Sequence, residues 1–246
     1  MIVLFTDFGL EGPYLGQVKA TLHREAPGVA VIDLFSDAPA FDPRASAYLL
    51  AAYVEAFPPE SVFLAVVDPG VGTAWRRPVV LRAMERWLVG PDNGLFQVVA
   101  SRAQDAAMWD IAWRPERLSA TFHGRDLFAP VAARLARGEV PPGERAELAS
   151  RLHDDWPADL AEIVYIDRYG NAMTGLRAAL LPGGTRLKVN RQTVGRTRTF
   201  GDVPVGEATW YENSNGLAEI AVNRGHAAER LGLHVGMPVE ILQRKG

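Results

Sequence analysis

MIVLFTDFGLEGPYLGQVKATLHREAPGVAVIDL, residues 1–34, is the stretch whose reading decides the fold. Ile2 to Phe5 is a short apolar run with the look of a strand buried on both faces. A polar turn, Thr6-Asp7-Phe8-Gly9, follows it; Pro13 to Glu25 then reads as a helix and Val29 to Leu34 as a second strand. Strand, helix, strand is the unit from which layered α/β sheets are built. Further along, Val62 to Val67, Pro78 to Leu81 and Trp87 to Val89 repeat the strand signal. Pro43 to Phe57 reads as a helix with Asp42 as N-cap and Pro43 at the first helical position. Asp126 to Arg137 supplies another, stopped by Gly138. The expectation is an open α/β sandwich with Rossmann-like layers over residues 1–145.

Pro141-Pro142-Gly143-Glu144-Arg145 reads as a breaker cluster, and the polar stretch after it reads as a linker over 146–160. Beyond it, Ile163 to Ile166, Arg186 to Val189, Ala208 to Tyr211, Leu217 to Val222 and Val239 to Leu242 are short strands between Gly-rich turns, with one short helix at Ala227 to Leu231. Residues 161–246 are therefore expected to form a smaller β domain, a small barrel.

Composition narrows the function. A net charge of −3 from 26 basic and 29 acidic residues offers no global field for a phosphate backbone or an anionic membrane, so neither nucleic acid nor membrane is an expected partner. No apolar run approaches the ~20 residues that span a bilayer. With no cysteine, disulfides, thiolate metal sites and a cysteine nucleophile are excluded. The N-terminus lacks a signal-peptide pattern, and a cytoplasmic protein is expected. The five histidines show no close metal-ligand spacing, and phosphate-loop, dinucleotide and nucleophile-elbow motifs are missing. No metal or cofactor is expected.

What remains are polar residues placed directly after apolar strands, where an open sheet exposes side chains at its carboxyl edge. Asp7 could accept hydrogen bonds from a ribose diol, or form an Asx turn. Val67-Asp68-Pro69-Gly70-Val71-Gly72 leads into Trp75-Arg76-Arg77; a carboxylate beside an arginine can hold a water molecule, though Asp-Pro-Gly is also an ordinary turn. Asp92 or Asn93 caps the helix that follows Gly94. His123 lies just ahead of a helix whose positive end would keep it neutral. In the C-terminal half, Asn171 could pair with a base edge, and Glu212 to Gly216 is a loop leading to a strand that bears Glu219. Trp210 and Tyr211 could face a purine, with core packing their commoner use.

In order and spacing, Thr6 to Gly9, Tyr14-Leu15-Gly16 with Lys19, Val66 to Gly72, Gly90 to Leu95, Thr121 to Pro130, Asp167 to Thr174 and Asn213 to Ala228 resemble the S-adenosylmethionine (SAM) hydrolases. These are also called SAM hydroxide adenosyltransferases and are related to fluorinases and chlorinases. The resemblance implies cleavage of SAM, as substrate and not cofactor, to adenosine and methionine. It implies a homotrimer, with each site between one subunit's N-terminal domain and its neighbour's β domain. It also implies a water-activating set of Asp68, Arg76 and His123, and adenosine recognition by Asp7, Asn171, Ser214 and Glu219, with the backbone near Val222 touching the base. Asp68 is one residue further from Arg76 than is usual in the family, so Arg77 stands as an alternative to Arg76. Phe35-Ser36 replaces the usual Thr-His beyond Asp33, and Gly175 stands where Asn is common.

The chemistry suits the inventory, because a sulfonium leaves as a neutral thioether and only the nucleophile needs activation. A halogenase is the nearest rival, but the family's halide users resemble a tyrosine and a small residue where this chain has His123-Gly124. A nucleoside-binding protein without catalysis is the rival from another class.

Overall fold

The computed structural model describes residues 1–242. Positions 243–246 of the expected β domain lie outside the described residues. The chain divides into two compact units, Met1–Asp155 and the part from Trp156 onward. Among the described residues no helix is long and apolar enough to cross a membrane.

The first unit is built on strands β1 (Ile2–Thr6), β2 (Val31–Phe35), β3 (Val62–Val66), β4 (Pro78–Ala83), β5 (Arg86–Pro91), β6 (Ala107–Ile111) and β7 (Gly143–Ala146), in the spatial order β2-β1-β3-β5-β4-β6-β7. β2, β1, β3 and β5 run parallel, while β4, β6 and β7 continue the sheet antiparallel. Every residue of β1 and β3 is buried, as the unbroken apolar runs predicted. Strands of that kind need helices on both faces. Helices α1 (Tyr14–Glu25) and α4 (Ala129–Ala136) cover one: Leu15, Val18, Leu22, Val131 and Leu135 share a core with Ile2, Leu4, Val62 and Leu64. Each fully buried Leu, Ile or Val side chain there contributes about 1.5–3 kcal/mol. Alternation turns Val3, Phe5, Phe63 and Ala65 to the opposite face. α2 (Pro43–Tyr53) packs with α3 (Gln97–Arg102). Asp42 caps α2 by accepting from Ala45 N at 2.9 Å, as expected.

β6 carries no strand signal in the sequence analysis, and two further stretches near the end of the first unit depart from it. Gly143–Ala146 overlaps the expected breaker cluster and the first linker position, yet pairs antiparallel with β6 as an edge strand. A Cβ on Gly143 would come within 1.8 Å of the Asp110 carbonyl oxygen, so this glycine serves close strand approach and not a turn. The early part of the expected linker is also structured. Leu148–Arg151 forms a helical turn; Arg151 pairs with Asp92 and, at 2.9 Å, with Asp110, and His153 N donates to Gln97 Oε1 at 2.9 Å.

The second unit contains β8 (Leu160–Ile166), β9 (Ala172–Arg177), β10 (Arg186–Val189), β11 (Gln192–Val194), β12 (Ala208–Glu212), β13 (Leu217–Val222) and β14 (Glu240–Leu242), with helix α5 (Ala227–Leu231). They form a four-stranded sheet, β12-β13-β9-β8, and a three-stranded one, β11-β10-β14. Isolated bridges Glu162–Pro238 and Arg196–Trp210 join the two sheets along both edges, so the pairing runs in a circuit around the unit. Trp210 sits fully buried in this core with Ile163, Leu187 and Ile220, and its Nε1 donates to Thr185 O at 3.1 Å. Core packing is therefore its use. β9 escaped the sequence reading because Thr174 and Gly175 interrupt its apolar pattern; a Cβ at Gly175 would meet Leu160 Cβ at 2.7 Å.

Candidate functional site

Thr6 and Val66 are partners in the parallel β1–β3 ladder, so Asp7 and Asp68 leave the sheet side by side at its carboxyl edge. Asp7 Oδ2 accepts from Phe41 N at 3.2 Å, and burial raises the Asp7 pKa above the usual carboxylate value. Asp68 is raised by burial too, with the Arg76 charge opposing the rise. A turn then brings the chain back: Val71 N donates to Asp68 O at 3.3 Å, and Thr73 Oγ1 to Gly70 O at 2.6 Å. Gly72 has φ +79°, and a Cβ there would lie 2.3 Å from Ala120 O. Only glycine allows this turn to press against the segment that carries His123.

Arg76 reaches under both acidic and imidazole groups. Its Nε lies 3.0 Å from Asp68 Oδ2, and the two side chains are 1% and 4% exposed. The pair is ionic without hydrogen-bond alignment, since among the described residues neither Asp68 oxygen nor Arg76 Nε has an aligned hydrogen-bond partner. Arg76 Nη2 meets His123 Nδ1 at 2.6 Å, and the guanidinium carbon lies 5.4 Å from the Phe128 ring centre. Arginine only donates, so Nδ1 of His123 must be the acceptor and the imidazole carries its proton on Nε2. Burial first, then the charges of Arg76 and Arg114, lower the His123 pKa, in keeping with a neutral ring. Arg77 instead lies 3.9 Å from Asp110 with its side chain 59% exposed. The geometry thus joins Arg76, and not Arg77, to Asp68 and His123.

These groups border a cavity of about 330 Å³ lined by Asp7, Asp68, His123, Phe8, Tyr14 and Phe41 among others. Phe8, Tyr14 and Phe122 pack around one another, with ring centres 5.3–6.2 Å apart. Asn93 serves the scaffold: its Nδ2 donates to Val67 O at 2.8 Å and its Oδ1 accepts from Leu95 N at 3.3 Å, pinning the strand end beside Asp68. Asp33 pairs with Lys19 at 2.5 Å. Phe41 and Arg114 went unnoticed in the sequence. Phe41 enters the cavity wall through a left-handed backbone (φ +59°) just before the Asp42 cap, and no motif announces it.

A second cavity, about 600 Å³, lies in the second unit and is lined by Asp167, Tyr169, Asn171, Phe200, Val222 and Arg224 among others. Asp167 accepts from Tyr169 N at 2.9 Å, Asn171 N at 2.8 Å and Asn171 Nδ2 at 3.1 Å. Asn171 is thereby held with its side-chain oxygen as the remaining acceptor. Of the residues expected to bind adenosine, Asn171 and Val222 line this cavity; Asp7 belongs to the first unit's cavity. Ser214 sits in an exposed turn and donates to Asn215 Oδ1 at 3.0 Å. Glu219 is buried at 5% exposure, with both oxygens bonded inside the protein. Among the described residues no cluster of three or more His, Cys, Asp or Glu side chains is arranged to hold a metal ion.

Residues 2–144 match the model of the SAM hydroxide adenosyltransferase N-terminal domain, and residues 161–240 match that of its C-terminal domain. The curated "(R)-S-adenosyl-L-methionine hydrolase" of Thermus thermophilus is 44% identical, over 98% of this chain and 99% of that protein. The protein of the same name from Salinispora arenicola is 40% identical, over 94% and 93%. A crystal structure of an uncharacterized conserved protein from Thermotoga maritima superposes with TM-score 0.87 at 34% identity, covering 99% of this chain and 100% of that one.

Proposed function

Starting from the fact that the chain belongs to the SAM hydroxide adenosyltransferase family, we propose that it hydrolyses S-adenosyl-L-methionine to adenosine and L-methionine through Asp68, Arg76 and His123. The observation that carries the residue assignment is the buried contact of Asp68 with Arg76 and of Arg76 with His123 beside the cavity.

In this reading a water molecule attacks the ribose C5′ in line with the C5′–S bond. As the new C–O bond forms, the electron pair of the breaking C–S bond passes to sulfur, which leaves as neutral methionine thioether. One proton must be removed. His123 cannot take it through Nε2, because that nitrogen already bears hydrogen while Arg76 occupies Nδ1. Asp68 therefore accepts the proton and passes it to solvent, and His123 donates a hydrogen bond that orients the water. Burial raises the Asp68 pKa, which makes the carboxylate a stronger base than one in water. Arg76 keeps it ionised enough to act. The aromatic wall of Phe8, Tyr14 and Phe122 limits bulk water around the sulfonium.

Asp7 is assigned to the ribose diol, and Asn171, Ser214 and the backbone at Val222 to substrate contacts from the second unit; Glu219, expected among them, has both oxygens bonded inside the protein. We assign the active form to a homotrimer in which one subunit's first unit and its neighbour's second unit share each substrate molecule. Neither cofactor nor metal has a role in this reading, and the protein is assigned to the cytoplasm.

The test is incubation of purified, chelator-treated protein with SAM in halide-free buffer, repeated with chloride, with the products separated by chromatography. Equal yields of adenosine and methionine, lost in His123→Ala, are expected. 5′-Chloroadenosine would replace the hydrolase reading by a halogenase, and unchanged SAM would leave a binding protein.

A further inference from the structure

Glu219 is a buried acid in the second unit with no part in the proton transfer described above. It stands opposite Tyr211 in the β12–β13 ladder, and the Tyr211 hydroxyl donates to its Oε1. Its Oε2 accepts from Asn213 Nδ2 at 2.9 Å. The other end of the Asn213 amide is engaged by the backbone: Asn215 N and Leu217 N both donate to its Oδ1 at 3.0 Å. These two N–H groups fix which way the amide points, since a flip would set donor against donor. The turn is closed by Asn213 N donating to Leu217 O at 2.9 Å and Gly216 N to Asn213 O at 3.0 Å. Every link in the chain thus has one allowed polarity, from the Tyr211 hydroxyl through the Glu219 carboxylate to the Asn213 amide and the backbone of the turn.

We infer that Tyr211, Glu219 and Asn213 form a positioning relay that holds the 213–217 turn in the shape that presents Ser214 to the substrate. Glu219 does not touch substrate in this arrangement; it acts through Asn213. The inference rests on the proposed role of Ser214. It revises the role assigned to Glu219 by family resemblance, from substrate contact to support.

Asn213→Asp sets a carboxylate against Glu219 across the 2.9 Å contact and should raise KM for SAM about tenfold or more while leaving kcat near its original value. Adding Glu219→Gln to it restores the pattern: the Gln amide donates to the carboxylate introduced at position 213, its oxygen accepts from Tyr211, and that carboxylate still accepts from both backbone N–H groups. The double variant should therefore recover most of the KM, which a loss of general stability would not predict. Ser214→Ala is measured beside them. If it raises KM while Asn213→Asp does not, the relay is overturned and the Ser214 reading stands. A raised KM in Asn213→Asp, rescued in the double variant but absent in Ser214→Ala, overturns the inference, because the turn then acts on substrate through a group other than Ser214. A fall in melting temperature with KM unchanged across the set makes the network structural only and overturns the inference.

Discussion

Asp68→Asn is the substitution that separates chemistry from architecture most sharply. The isostere fills the same space but removes both the proton acceptor and the charge facing Arg76 at 3.0 Å. Loss of a positioned general base costs about 10²–10⁴ in kcat. The structural cost is separate. Arg76 is 1% exposed at its side chain, and deleting the partner of so deeply buried an ion costs about 3–5 kcal/mol. For a chain of this size that corresponds to a fall in Tm of about 6–20 °C. Asp68→Leu with Arg76→Met removes both charges, so it should recover much of the lost Tm yet remain inactive. Initial rates of adenosine formation, read by chromatography well below each variant's Tm and alongside SAM affinity by calorimetry, check both limbs. Asp68→Asn retaining kcat within about tenfold of the original, with SAM still bound, would refute Asp68 as the proton acceptor. Recovery of activity together with Tm in the double variant would refute the whole assignment.

Arg77→Ala should leave kcat within about twofold and stability within about 0.5 kcal/mol, because its ion pair with Asp110 is long and exposed; Arg76→Lys should lose activity, a point charge being unable to serve Asp68 and His123 together, and parallel steady-state kinetics compare them. Gly72→Ala, which touches no proposed substrate group, should lower kcat and Tm together by forcing Ala120 and with it His123 out of place, to be seen in activity and thermal melts. Lowering the pH should abolish activity below, and not at, the ordinary histidine value of 6.5, since protonating His123 breaks the contact with Arg76 and protonating Asp68 removes the proton acceptor. The sign for stability agrees: with the folded-state pKa depressed, the neutral ring's contribution is complete above 6.5 and is lost as pH falls through the lower folded value. Titrating rate and Tm tests it, with His123→Gln as the variant that lacks the histidine contribution to Tm while keeping the acid limb that Asp68 gives to the rate.

The β1–α1–β2 opening was legible because its information is local: an apolar run, a polar turn and a helix follow one another within residues 1–34. The strand-end positions of Asp7 and Asp68 were legible for the same reason, since apolar runs mark where strands stop. β7 was not, because Pro141-Pro142-Gly143 carries a turn composition, and only the approach of β6 makes a glycine there a strand residue. β9 was hidden by Gly175, whose value lies in the closeness of Leu160.

Sequence by itself thus determined the layered α/β core, the β character of the second unit and the inventory of reactive groups, since burial period and turn chemistry are written over neighbouring residues. Tertiary structure alone decided that Arg76 and not Arg77 lies against Asp68 and His123, the tautomer of His123 and the enclosure of Glu219 by Tyr211 and Asn213. Adjacent arginines read alike in a sequence. Which one is buried against an acid, and which hydrogen-bond polarity a ring or carboxylate must adopt, depends on atoms brought together from segments far apart in the chain.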